Sequence, residues 1–152
     1  MRAGGFRNVG GLAQRLTSSL AKGRGTSIAR LQADWIAIVG DGNFNMAPSV
    51  MWTAAHHKIP LLTIMHNNRG YHQEAMHIQR MANRHQRGIT NAHIGTTLTS
   101  PDINYAKIAD GFGCRGIRVT DPEKLSKAIQ EGLENTDTPT VLDVIVTRDP
   151  SK

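Results

Sequence analysis

The sequence contains a single cysteine, Cys114, among its 152 residues. One thiol can form neither an internal disulfide nor a thiolate metal cluster, so the fold depends on neither. Cys114 stands in an apolar setting before a predicted strand, which favours a reduced, buried thiol over a nucleophile. The core must therefore come from apolar packing, and 152 residues with 39% hydrophobic side chains are enough for one domain.

Long apolar runs are also missing. The longest are Trp35–Val39 and Ile59–Met65, and both are far shorter than the roughly 20 residues that a membrane-spanning helix needs. No charged start followed by an apolar segment, as in a signal peptide, precedes them. We therefore expect a soluble, cytoplasmic protein without membrane contact.

Acidic residues are absent before Asp34, and only Phe6 is aromatic there. A nucleic-acid-binding domain usually interleaves a basic face with aromatic side chains, so nucleic acid is an improbable partner and non-specific attraction of anions is the simpler interpretation. A mitochondrial transit peptide is the alternative, although six glycines in the first thirty residues weaken an amphipathic helix. We predict a basic, glycine-containing segment over residues 1–34 and a folded domain over residues 35–152. The basic residues of the segment are Arg2, Arg7, Arg15, Lys22, Arg24 and Arg30.

Beyond this segment, strand-like and helix-like stretches alternate. Ser100 and Asp121 each precede a proline, as a cap residue does at the start of a helix, whereas the region from Tyr71 to Thr99 shows no clear pattern. Buried strands separated by helices predict an α/β fold, in which a mostly parallel sheet lies between two layers of helices. The predicted strands are WIAIV, IPLLTIMH, RGIRV and TVLDVIV, and the predicted helices are APSVMWTAAHH, SPDINYAKIADGFG and TDPEKLSKAIQEGLENT.

Polar residues follow the first two predicted strands where each strand ends. Asp41, between Gly40 and Gly42, follows one strand, and Asn67 and Asn68 end the next. Parallel strands joined by a helix end at the same edge of the sheet, where such sheets bind phosphorylated ligands. A carboxylate and an amide oxygen that leave room for more ligands suit Mg²⁺ held jointly by protein and a diphosphate. The glycines would let backbone N–H groups approach the phosphates.

The motif GDG, then twenty-four residues, then NN resembles the cofactor motif of thiamine-diphosphate-dependent enzymes. The resemblance covers roughly residues 40–146 and is to the C-terminal, diphosphate-binding domain. The sequence NNRGYHQE, followed downstream by PDINYAKIADGFG, is most similar to the acetolactate-synthase-like branch. The resemblance implies the thiamine-diphosphate-binding fold and one half of a 2-keto acid enzyme, a lyase or transferase that uses thiamine diphosphate and Mg²⁺.

The resemblance also implies roles for individual residues. The metal ligands would be the side-chain oxygens of Asp41 and Asn68 and the backbone carbonyl of Gly70. Backbone amides of Gly42 and Asn43 would meet the diphosphate. The full set of implied cofactor-binding positions is Gly40, Asp41, Gly42, Asn43, Asn68 and Gly70.

Residues just after the metal motif are candidates for the substrate side. His72, Gln73 and Glu74 follow the motif closely enough to face a thiazolium ring or a substrate. None of the seven histidines has a spacing that strongly signals zinc. Packing or lid positions are expected for three further residues: Met76, Ile78 and Met81.

The chain also departs from the family. Family members activate the cofactor with a glutamate from a separate pyrimidine-binding domain, for which this chain has no room. The family's first strand and its glycine- and alanine-rich helix have no counterpart in residues 1–34. We therefore expect one half of an active site, a pyrimidine-domain partner and a homo-oligomer.

A non-catalytic, oligomerising remnant is one alternative. Another nucleotide-binding α/β domain is disfavoured, because neither a GxGxxG after a strand nor a P-loop is present.

Overall fold

The structure is a computed structural model that describes residues 27–31 and 34–146. The described residues form a five-stranded sheet in the order β1-β2-β3-β5-β4. Strand β1 is antiparallel to β2, and all other neighbours are parallel. The strands are β1 (Ser27–Leu31), β2 (Asp34–Gly40), β3 (Leu61–Asn67), β4 (Arg115–Val119) and β5 (Thr140–Ile145).

Helices cover both faces of the sheet. Phe44, Met51 and Tyr105 pack on one face, against Val39 and Met65 of the central strands. On the other face, Ala128 and its helix pack against strands β3 and β5. The helices are α1 (Asp41–Met46), α2 (Val50–His56), α3 (His72–Arg84), α4 (Tyr105–Gly111) and α5 (Leu125–Glu134), and a 3-10 turn over Pro122–Lys124 precedes α5. The predicted three-layer α/β fold is confirmed.

Most of the predicted elements are present. The four predicted strands correspond to β2 to β5, and Asp121 caps the 3-10 turn by accepting a hydrogen bond from the N–H of Glu123. The prediction that Ser100 caps a helix is wrong. Asn104 is the N-cap of α4 and accepts a hydrogen bond from the N–H of Lys107 at 3.0 Å. Ser100 has a φ of 60°, a left-handed backbone that an N-cap does not adopt.

Three elements lie where none was predicted. One is helix α1, which lies between the predicted strand WIAIV and the predicted helix APSVMWTAAHH. Strand β1 lies within the basic segment and pairs with the edge of β2, whereas residues 1–26 and 32–33 lie outside the described residues. Helix α3 occupies part of the unassigned region, and none of its residues is buried. The longest helix in residues 27–31 and 34–146 has 13 residues, and none there combines the length and apolar character of a membrane span.

Cys114 is buried between α4 and β4, as predicted from its apolar setting. Its thiol donates a hydrogen bond to the Met51 carbonyl at 3.4 Å. Burial, with a smaller effect of the nearby Asp110 charge, raises the thiol pKa to about 11. A thiol that stays protonated at neutral pH is a poor nucleophile, so Cys114 is a core residue.

Candidate cofactor and metal site

The candidate site begins where β2 and β3 end side by side. The two strands are parallel neighbours, and Gly40 pairs with His66 in their register. Asp41 follows β2 as the first residue of α1, while Asn67 ends β3 and Asn68 follows it. The sheet therefore brings the two polar turns to one edge, as the sequence predicted.

The backbone N–H of Gly70 marks the point where the two turns converge. It donates to Asp41 Oδ2 at 3.0 Å and to Asn68 Oδ1 at 3.1 Å. One amide group thus holds a carboxylate oxygen from the first turn and an amide oxygen from the second. Of the predicted metal-ligand positions, Asp41 and Asn68 are thus both hydrogen-bonded to the third, Gly70.

A second segment fixes the loop that follows Asn68. The N–H of Tyr71 donates to the Thr96 carbonyl at 2.8 Å, and the N–H of Leu98 donates to the Arg69 carbonyl at 2.9 Å. Arg69 has a φ of 60°, which turns the chain sharply between Asn68 and Gly70. The loop is therefore held in one geometry by the main chain of residues 96–98.

Asp41 is a buried carboxylate, with 1% of its surface exposed. Burial raises its pKa, and the backbone N–H groups of Gly42, Gly70 and Arg69 act against that rise. Asp41 forms no ion pair within the described part of the chain. A buried carboxylate that only backbone dipoles neutralise is well suited to a cation, and the carboxylate and amide oxygens are ligands that Mg²⁺ prefers.

Tyr105 belongs to the same buried region and was missed by the sequence analysis. It is 1% exposed and packs edge-on against Phe44, with ring centroids 5.7 Å apart. Burial, and then the charge of Asp41, raise its pKa far above the ordinary value. Tyr105 is therefore a neutral phenol beside the site, and in the part of the chain described its buried hydroxyl has no hydrogen-bond partner.

Gly42 is in close contact with the ring of Tyr71. A Cβ atom at Gly42 would lie 2.7 Å from two carbons of that ring. The start of α1 can therefore pack against the loop after β3 only if residue 42 has no side chain. This contact is a packing reason for the second glycine of GDG, in addition to the predicted approach of its backbone to phosphate.

We predict that Gly42→Ala destabilises the metal-free chain by about 1–3 kcal/mol, because the Tyr71 ring must move. Gly40→Ala is the matched control, since a Cβ atom there meets nothing within 4 Å and φ is −76°. Urea unfolding of both variants measures the difference. Equal stability of the two variants would contradict a packing role for Gly42.

A cleft of about 200 Å³ adjoins the convergence point. His72 lines it beside Asn68 and Gly70, whereas Gln73 and Glu74 are exposed in the same turn of α3 and do not line it. Met76 also lines the cleft, whereas Ile78 and Met81 are exposed on α3. The sequence analysis missed other lining residues, namely Ala75, Gln79, Ala92, His93, Thr96 and Thr97.

A helical pattern could have identified some of these missed residues. Four of the lining residues lie three or four positions apart and so share one face of α3, namely His72, Ala75, Met76 and Gln79.

In the described part of the chain, no group of three or more His, Cys, Asp and Glu residues could hold a metal ion.

Comparison with known proteins identifies the family. Residues 5–144 match the model of the C-terminal thiamine-pyrophosphate-binding domain of thiamine pyrophosphate enzymes. The chain is 33% identical over 126 residues to the mitochondrial acetolactate synthase catalytic subunit of Aspergillus candidus, covering 80% of this chain and 16% of that protein. It is 28% identical over 133 residues to acetolactate synthase of Bacillus subtilis, covering 88% and 21%.

A solved structure is similar as well. The thiamine diphosphate-dependent 4-hydroxybenzoylformate decarboxylase of Rhodococcus jostii RHA1 superimposes with a TM-score of 0.61 and 31% identity, covering 75% of this chain and 20% of that one. The chain thus spans about a fifth of the length of such relatives. By the match of its model over residues 5–144, the chain belongs to the thiamine pyrophosphate enzyme family, in which it corresponds to the C-terminal cofactor-binding domain.

Proposed function

We propose that this chain binds thiamine diphosphate together with Mg²⁺ at the edge formed by β2 and β3. The observation that carries the proposal is the convergence of Asp41 Oδ2 and Asn68 Oδ1 on the N–H of Gly70. The burial of Asp41 without a cationic partner in the described residues supports it. When bound, thiamine diphosphate would supply the nucleophilic carbon and the electron sink that decarboxylation of a 2-keto acid requires.

The residues of this chain would bind and orient the cofactor. Asp41 and Asn68 supply side-chain oxygens to the metal, and Gly70 supplies its carbonyl. The backbone around Gly42 and Asn43 faces the diphosphate, while Gly40 leaves open space beside the start of α1, since a Cβ atom there would meet nothing within 4 Å. The cleft beyond Asn68 leads to His72, which is the candidate closest to a bound substrate.

We further propose that the chain is one half of a 2-keto acid enzyme of the acetolactate-synthase-like or decarboxylase type. Its partner would be a pyrimidine-binding domain or subunit that supplies the activating glutamate. The names of the relatives and their roughly fivefold greater length support this assignment. Exposed apolar side chains on α3, Ile78 at 42% and Met81 at 37%, favour a second candidate, a non-catalytic module that oligomerises.

The test is calorimetric titration of the purified chain with thiamine diphosphate, with Mg²⁺ present and then with EDTA. We expect saturable binding that requires Mg²⁺, and ATP as the titrant should bind more weakly. Equal binding with and without Mg²⁺, or no binding at all, would overturn the proposed metal site. Binding of ATP as tight as that of thiamine diphosphate would favour a different nucleotide-binding function.

We predict that the isolated chain self-associates through α3, because exposed apolar side chains that share one surface favour oligomers. Ile78→Glu combined with Met81→Glu should shift the species towards the monomer in light scattering. Glu substitution at the exposed Gln130 of α5 is the matched control. A parent chain that is monomeric at high concentration would contradict this prediction.

A further inference from the structure

Beneath the proposed metal site lies a buried pair of polar side chains, Asn67 on β3 and Asp143 on β5. Asn67 is 2% exposed and Asp143 is 0% exposed. The Asn67 Nδ2 group donates to Asp143 Oδ1 at 2.7 Å, across 76 positions of sequence. Neither residue belongs to the set of predicted ligands, although Asn67 immediately precedes the loop that carries Asn68 and Gly70.

We propose that Asp143 and Asn67 form a buried clamp that positions the metal-binding loop, an inference that rests on the function proposed above. The clamp acts through the second end of the Asn67 amide. While Nδ2 donates to Asp143, Oδ1 accepts a hydrogen bond from the N–H of Arg69 at 3.1 Å. Asp143 and Asn67 are positioning residues and touch neither metal nor cofactor in this scheme.

Asp143 determines which way round the Asn67 amide lies. The Oδ1 atom of Asp143 accepts from the NH₂ group of the amide, and the amide oxygen is directed to the N–H of Arg69. With an apolar residue at position 143, the NH₂ group would be buried without an acceptor, and the amide would no longer be held from both ends.

The backbone conformation of Arg69 in turn determines where the N–H group of Gly70 points. Arg69 has a left-handed backbone, with a φ of 60°, and its N–H is held by Asn67. The next amide, that of Gly70, donates to both Asp41 and Asn68. A change in the turn at Arg69 therefore moves the one group on which the two proposed side-chain ligands converge.

The burial of the Asp143 carboxylate has a free-energy cost that packing does not explain. Its Oδ2 lies 3.9 Å from Arg118 Nε, and in the described part of the chain it accepts no hydrogen bond. A buried carboxylate with one oxygen poorly paired contributes less to stability than an apolar side chain of similar size would. Packing alone therefore does not account for Asp143, whereas orientation of Asn67 does.

The test removes or keeps the acceptor at position 143. Asp143→Leu leaves the Asn67 NH₂ group without the acceptor that it has at 2.7 Å, so the bond is lost. Asp143→Asn keeps it, because the new amide oxygen at position 143 can accept from Asn67. Val141→Ala, at a buried position on the same face of β5, is the control for a general loss of stability.

Two readouts are needed. Mn²⁺ binding in the presence of thiamine diphosphate, followed by electron paramagnetic resonance, should weaken about 10–100-fold in Asp143→Leu, as expected for a group that orients ligands. Binding should stay within about 3-fold of the parent in Asp143→Asn. The ¹⁵N–¹H signals of Arg69 and Gly70 in the metal-free chain should shift in Asp143→Leu and stay close to those of the parent in Asp143→Asn and Val141→Ala.

The outcomes separate this inference from the proposed function. If the parent chain binds no Mn²⁺ with thiamine diphosphate, the proposed function fails, and the signals of Arg69 and Gly70 in the metal-free chain still decide the clamp. Unshifted signals in Asp143→Leu, or signals in Asp143→Asn that are as perturbed as those in Asp143→Leu, would overturn it. If Asp143→Leu does not fold, Asp143→Ala replaces it. A shift in Asp143→Leu that is absent in Asp143→Asn supports the clamp, and equal spectra reject it.

Discussion

Asp41→Asn will weaken Mg²⁺-dependent binding of thiamine diphosphate by about 100-fold or more, the largest binding effect that we expect from a single substitution. Loss of a group that only orients a metal ligand already costs about 10–100-fold. Asp41 would supply the single carboxylate among the proposed ligands, so its charge dominates the attraction to the cation. Calorimetry with thiamine diphosphate at a fixed Mg²⁺ concentration measures the change, and Asp137→Asn, at an exposed carboxylate, is the matched control.

When metal and cofactor are absent, the same variant should lose the pH dependence of stability that burial of Asp41 causes. Burial raises the pKa of Asp41 above 3.8 in the folded chain, so the folded state binds a proton that the unfolded state has released. Stability of the parent therefore falls as the pH rises through the window between 3.8 and the raised pKa, and the full cost of the buried charge is present above that window. Asparagine does not titrate, so this fall should be absent in the variant.

The pH dependence of metal binding follows from the same proton. Mg²⁺ must displace it, so metal affinity should rise as the pH increases through that window and level off above it. Thermal unfolding and metal titrations from about pH 4 to about pH 8 test both statements. If the variant binds Mg²⁺ and cofactor as tightly as the parent does, Asp41 is not part of the metal site. A metal-free variant whose stability falls through that window as steeply as that of the parent would contradict the unfavourable burial of the Asp41 charge.

The second large effect concerns turnover. We expect the chain alone to leave 2-keto acids unconverted, even with thiamine diphosphate and Mg²⁺ present. In the family, a carboxyl group of the pyrimidine-binding domain activates the cofactor's amino group as a base, and in the proposed site Asp41 would instead hold the metal at the other end of the cofactor. Loss of a preorganised proton-transfer partner costs about 10²–10⁴-fold in rate, and the missing substrate walls cost more.

Pyruvate decarboxylation, measured with the chain alone and again with an added family pyrimidine-binding domain, tests this expectation. Activity should arise only in the mixture, and Asp41→Asn should abolish it there. Rapid conversion of pyruvate by the purified chain alone would show that a complete site exists without a partner domain. A mixture without activity, together with tight cofactor binding, would favour the non-catalytic alternative.

The sequence predicted the parts of the site that depend on strand order. Residues WIAIV and IPLLTIMH are apolar runs of strand length, and parallel neighbours must end at the same edge, so the meeting of Asp41 and Asn68 followed from pattern and topology. Asp121 was predictable for a similar reason, because a cap residue followed by proline is a local signal.

The missed features depend on contacts between distant parts of the chain. Asp143 stands within the apolar run TVLDVIV, and only the pairing of β3 with β5 shows that it meets Asn67. Tyr105 looks like any aromatic residue of an amphipathic helix until α4 packs beside Asp41. None of the residues of helix α3 is buried. Its sequence therefore does not need the broad apolar stripe by which a core helix is identified.

The exposure of α3 has a further consequence for local opening of the chain. The free energy of opening a segment depends on the tertiary contacts that must break, and α3 has few to lose. Its amide hydrogens should therefore exchange with solvent far faster than those of β3, which is paired with β2 on one side and β5 on the other. Any molecule that covers α3 would slow this exchange, so exchange rates along His72–Arg84 would report a partner even when its identity is unknown.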